Sequence, residues 1–120
     1  MRLSRKHSMT RRTDFLRVRE DGRAKAGRFV VLSTLEDPSL DHLMIGIITT
    51  RKVGKAHDRN RVRRRIRSIL SRHGDALQNP RRFLVTIPRP GCAEASHAAL
   101  EKDWLKQARR LALLPQPPSP

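Results

Sequence analysis

The segment from Asp58 to Arg67, DRNRVRRRIR, packs six arginines into nine consecutive positions behind one aspartate. Written as a helix it sets like charges one turn apart at 59/63, 61/65 and 63/67, each pair unfavourable by roughly a few tenths of a kcal/mol. The segment nevertheless carries an apolar stripe. At about 100° per residue, Val62, Ile66, Ile69 and Leu70 fall together, and Asn60, Arg64, Arg67 and Ser71 line the opposite side with Arg61 and Arg63 flanking them. This spacing predicts an amphipathic helix from about His57 to His73, its stripe laid on a sheet. Asp58 stands where it caps that helix or favours the positive end of its dipole. Salt or a bound polyanion relieves the repulsion, and the forked donors of arginine suit phosphate oxygens. A solvated surface helix is better served by mixed charge, so the pattern points to a nucleic-acid contact.

The rest of the chain supplies the sheet. RFVVLSTL (28–35), LMIGIITT (43–50) and RRFLVTIP (81–88) read as strands, with turns at EDPSLD and at Asn79–Pro80. A first helix is predicted from Thr10 to Asp21, with Phe15 and Val18 on one face, Arg11, Arg12 and Arg19 on or beside it, and Gly22 ending it. A last helix, Glu94 to Leu114, aligns Leu100, Trp104, Ala108 and Leu111. The order α-β-β-α-β-α describes a small α/β domain, an α+β two-layer sandwich spanning residues 1–114, with a loose basic stretch at 1–9. PQPPSP at 115–120 reads as a disordered tail.

Charge narrows the partners. Twenty-seven Lys and Arg against 11 Asp and Glu leave a net charge of +16, which concentrates polyanions around the chain. Nucleic acid is the first expectation. A peripheral membrane role needs large apolar residues exposed opposite the basic face, and here that stripe is needed for the core; no apolar run approaches the ~18 residues of a membrane span. The first 12 residues hold five Arg or Lys and no acid but lack the apolar core of a secretory signal. The single Cys92 excludes an internal disulfide and suits a reducing cytoplasm. Three Phe, one Trp and no Tyr argue against a sheet that stacks bases in the manner of an RRM.

Catalytic groups are not evident. The 11 acids are scattered with no pair spaced for a two-metal phosphodiesterase, and the five histidines and Cys92 match no metal-ligand spacing. His57, although beside Asp58, reads as a helix-entry residue, and Cys92 and His97 as loop and helix-start residues. No metal site, bound cofactor or small-molecule substrate is expected in this chain.

TRKVGKAHDRNRVRRRIR (50–67) resembles the signature of the bacterial ribonuclease P protein subunit. Arg51, Lys52, Val53, Gly54 and Ala56 match the basic turn that precedes the family's RNR helix, and Arg59, Asn60, Arg61, Arg64 and Arg67 match the helix. DFLRV, FLVTIPRPG and the closing amphipathic helix extend the likeness over most of the chain. The resemblance implies a mixed sheet with a left-handed β-α-β crossover, against the usual right-handed rule. It implies that Arg51, Lys52, Arg59, Asn60, Arg61, Arg63, Arg64 and Arg67 bind a catalytic RNA. It further implies that a cleft between the first helix and the sheet takes the 5′ leader of precursor tRNA, with Phe15 as the cleft aromatic and Arg11, Arg12 and Arg19 beside it. Hydrolysis would belong to the RNA with magnesium, and the protein would be its accessory. Arg19 and Ser33 stand where many members carry aromatics, so the cleft is poorer in stacking surface and richer in charge; Arg65 occupies a usually apolar position from which it can snorkel. A ribosomal or architectural RNA-binding protein would carry the same charge, but it does not account for the approach turn with Gly54.

Overall fold

In the computed structural model, which describes residues 1–116, seven elements follow in the order α1 (Arg12–Asp21), β1 (Arg23–Ala26), β2 (Val30–Glu36), β3 (Met44–Ile47), α2 (Ala56–His73), β4 (Arg82–Pro88) and α3 (His97–Arg110). The strands form one mixed sheet in the order β1-β2-β4-β3. β1 and β4 each pair antiparallel with β2, whereas β3 runs parallel to β4, so α2 is the crossover of a β-α-β unit. Of the tail expected at 115–120, residues 117–120 lie outside the described residues.

Alternation along the strands sends side chains to two different layers. Val30, Leu32, Ile45 and Leu84 face α2 and α3, where they bury with Val62, Ile66, Ile69, Leu70, Leu100 and Trp104. The stripe predicted for α2 is therefore the observed core face. Trp104 is fully buried, and its indole N–H donates to the Thr86 hydroxyl at 3.2 Å, so the largest side chain of the core leaves no orphan donor. On the other face, Phe83 and Val85 pack with Met9 and Val18, and α1 covers only part of the sheet.

Three expectations are corrected. A fourth strand exists: β1, RAKA, has every side chain exposed and so carries no apolar period to betray it. Backbone pairing with β2 holds it instead, from Arg23↔Thr34 to Ala26↔Val31. The turn that closes this hairpin is secured from α3, because the Asp103 carboxylate accepts the N–H groups of Arg28, Phe29 and Val30 at 3.3, 2.9 and 3.1 Å. Second, the stretch 1–9 is not loose. Ser8 bridges to Ile45, the Met9 N–H donates to the Ile45 carbonyl at 2.8 Å, and His7 and Met9 are buried. The free edge of β3 supplies the partner that composition alone does not reveal. Third, the last helix starts later than Glu94, because the Ser96 hydroxyl accepts the Ala99 N–H and caps it; residues 92–94 form a separate 3-10 turn.

Candidate nucleic-acid interface

Gly54 prepares the basic helix. Its φ of +149° lies in the range that favours glycine, and a Cβ there would press on Asp58 at 2.8 Å. Asp58, in the first turn of α2, accepts the Lys55 N–H at 3.2 Å, the capping contact expected of it. The arginines that follow divide into two sets. Arg61 donates to the Ala93 carbonyl at 2.8 Å and lies 3.5 Å from Asp58, and Arg65 donates to the Ala95 carbonyl at 2.8 Å. Both reach the turn ahead of α3, which is how Arg65 is accommodated beside the apolar stripe. Asn60, Arg64 and Arg67 are exposed on the outer face, and Arg63 donates to the Asn60 side chain at 3.0 Å. Arg51 and Lys52 are exposed in the approach turn. Among the described residues, Arg51, Lys52, Arg59, Arg64 and Arg67 make no ion pair. The outer face thus offers guanidinium groups that no carboxylate has claimed.

A cleft of about 430 Å³ opens where α1 leaves the sheet uncovered. Val31, Ser33, Val85 and Ile87 form its floor, and Phe15, Leu16 and Arg19 line it from α1. The two large apolar side chains most exposed among the described residues, Leu16 at 41% and Ile48 at 37%, both line this cleft. Of the residues expected there, Phe15 and Arg19 meet in it. Arg11 instead lines a separate groove on α1 with Arg17, Asp37 and Phe83, where the Arg17 guanidinium lies 5.7 Å from the Phe83 ring centroid. Arg12 is exposed on the first turn of α1. Apart from Ser33, the floor was the part that sequence reasoning did not assign. Its signal lies in VVLSTL and FLVTIP, which are apolar at both odd and even positions, so each strand has a second apolar face for which one short helix is too small a cover.

Cys92 is fully buried, and burial pushes its thiol up to about 11. His97 opens α3, and the exposed His57 lies 3.2 Å from Asp58 at the start of α2. Among the described residues no cluster of three His, Cys, Asp or Glu side chains is placed to hold a metal ion, and no helix is long and apolar enough to cross a membrane.

An unpaired arginine face on one layer and an apolar, cation-edged cleft on the other define an α+β protein that binds nucleic acid. The ribonuclease P family model matches residues 3–112. The ribonuclease P protein component of Syntrophomonas wolfei is 30% identical over 100 residues, covering 83% of this chain and 82% of that one. That of Thermus thermophilus is 39% identical over 100 residues, but this chain spans only 56% of its length. Among solved structures, the ribonuclease P protein of Staphylococcus aureus superposes with a TM-score of 0.83 at 21% identity, over 90% of this chain and 97% of that one. The Thermotoga maritima protein, solved in complex with 1-(4-fluorophenyl)-2-thiourea, gives 0.73 at 25% identity over 88% and 96%. The chain belongs to the ribonuclease P protein family, whose members are the protein subunit of that ribonucleoprotein.

Proposed function

We propose that this chain binds the catalytic RNA of ribonuclease P through the outer face of α2 and holds the 5′ leader of precursor tRNA in the cleft beside α1. The observation that carries the reading is the split among the helix arginines: Arg64 and Arg67 stand exposed and unpaired, while Arg61 and Arg65 secure the helix to the protein. A charge run serving only solubility has no need of such a division. Leader binding draws on Phe15 for one stacked base and on Arg19 for phosphate, since Ser33 adds no aromatic to the floor. Hydrolysis of the leader phosphodiester is assigned to the RNA subunit with its magnesium, in the cytoplasm. By neutralising phosphates where RNA, leader and protein meet, the protein lowers the magnesium needed to hold the substrate. Cleavage of precursor tRNA by the cognate RNA, measured at low magnesium with and without the protein, tests this. Stimulation by the protein that fades as magnesium is raised is expected; no stimulation at any magnesium concentration overturns the reading.

A further inference from the structure

Phe15 occupies a place that a side chain at residue 46 would otherwise fill. Gly46 is the third residue of β3, buried, and paired with Val85. A Cβ built on it would lie 2.5 Å from Phe15 Cε1, 2.9 Å from Cζ and 3.1 Å from the Met9 sulfur. Carbon atoms in good contact stand about 3.5–4.0 Å apart, so the ring rests directly on bare backbone. The glycine is required for space rather than for backbone freedom, because Gly46 is not among the described glycines with positive φ. Across the sheet its row continues through Val85 and Ser33 to Ala24, none of them larger than valine. It runs between the bulkier pair Val31–Ile87 and the row Leu35–Phe83–Met44. This low row is the bed of the cleft, and Phe15 lies over its Gly46 end.

We infer that Gly46 is a positioning residue for the leader cleft: its missing side chain seats the Phe15 ring at the depth from which it meets a nucleobase. The inference rests on the cleft reading above. A methyl group at residue 46 lifts the ring by on the order of 1 Å, which leaves strand pairing intact and spoils the stacking geometry.

The test uses holoenzyme reconstituted from the full chain and its cognate RNA, with Gly46→Ala, Phe15→Ala and the double variant, each assayed for binding of precursor and mature tRNA. Phe15→Ala weakens precursor binding by on the order of tenfold and leaves mature tRNA unchanged. Gly46→Ala reproduces a part of that loss, and the double variant loses no more than Phe15→Ala alone, because both changes remove one interaction. The Met9 methyl resonance, which senses the ring in the same socket, moves in both single variants. If Gly46→Ala alone does not fold, Gly46→Ala combined with Phe15→Leu makes room for the methyl group and folds; a pair that also fails to fold shows that Phe15 is not the steric partner and overturns the inference. Additive losses, or equal losses for precursor and mature tRNA, overturn it as well. An unchanged precursor affinity in Phe15→Ala overturns the cleft reading itself, and a moved Met9 resonance then leaves Gly46 as a packing residue only.

Discussion

The surroundings of the His7 imidazole disfavour its charged form. Burial is the main cause of its lowered pKa, and His42 and Lys6 add to it. The His7 and His42 rings meet edge-on with centroids 5.2 Å apart, and His7 Nδ1 accepts the Ser4 N–H at 3.1 Å. A proton on Nδ1 would cancel that hydrogen bond and set a cation beside His42 and Lys6. Because the folded-state pKa lies below the unfolded value of about 6.5, the contribution to stability is fully present above that pH and is lost as pH falls through the folded value. Titration of the His7 ring protons by NMR is therefore expected to give a midpoint below that of an ordinary histidine. Protection of the Met9 amide, donated to Ile45, should fall over the same range. A midpoint at or above 6.5 would refute this account.

Helix α2 separates two functions on opposite faces, and substitution distinguishes them. Arg64→Ala with Arg67→Ala removes exposed cations from a face of like charge, so folding stability should hold or rise slightly, while the slope of log affinity against log salt flattens by roughly one phosphate per lost contact. Ile66→Ala opens a cavity in a fully buried site and should cost about 2–5 kcal/mol in denaturant unfolding. Equal effects of both changes on folding would refute the assigned faces. This helix was legible in the sequence because its period of 3.6 is written in two alphabets at once, apolar on one side and basic on the other. β1 was illegible for the opposite reason: Arg23, Ala24, Lys25 and Ala26 bury no side chain, and their strand exists only because β2 offers them a ladder. Arg61 shows the limit of the wheel, which places it near the basic side; only the fold brings the Ala93 carbonyl within its reach.

At the scale of the molecule, charge is in excess wherever it is counted. The net charge is +16, and among the described residues only four arginines, Arg17, Arg61, Arg72 and Arg82, and no lysine side chain pair with carboxylates. Arg82 is the buried one, its guanidinium shared among Glu36, Thr34 and the carbonyls of Gln78 and Asn79. Most other cations repel one another across the surface, and compaction brings them closer. The thermal midpoint should therefore rise as salt is raised from about 0.05 to 0.3 M, a range over which the screening length shortens to well under 10 Å. Calorimetry checks this, and a midpoint that falls with salt would show that the paired charges outweigh the unpaired ones. The same excess made the partner class legible from composition. The cleft was less so, since its floor belongs to two strands and its wall to α1, and only tertiary packing brings them together.

The clamp of Asp103 on the β1–β2 turn has a consequence in time. The three amides it receives precede it in the chain by 73 to 75 residues. During synthesis the hairpin emerges early, yet its turn has no side-chain acceptor until the final helix has been made and docked. The carbonyls of that turn at Gly27 and Phe29 find their donors earlier in the chain, in Arg89, whereas its amides wait for the last helix.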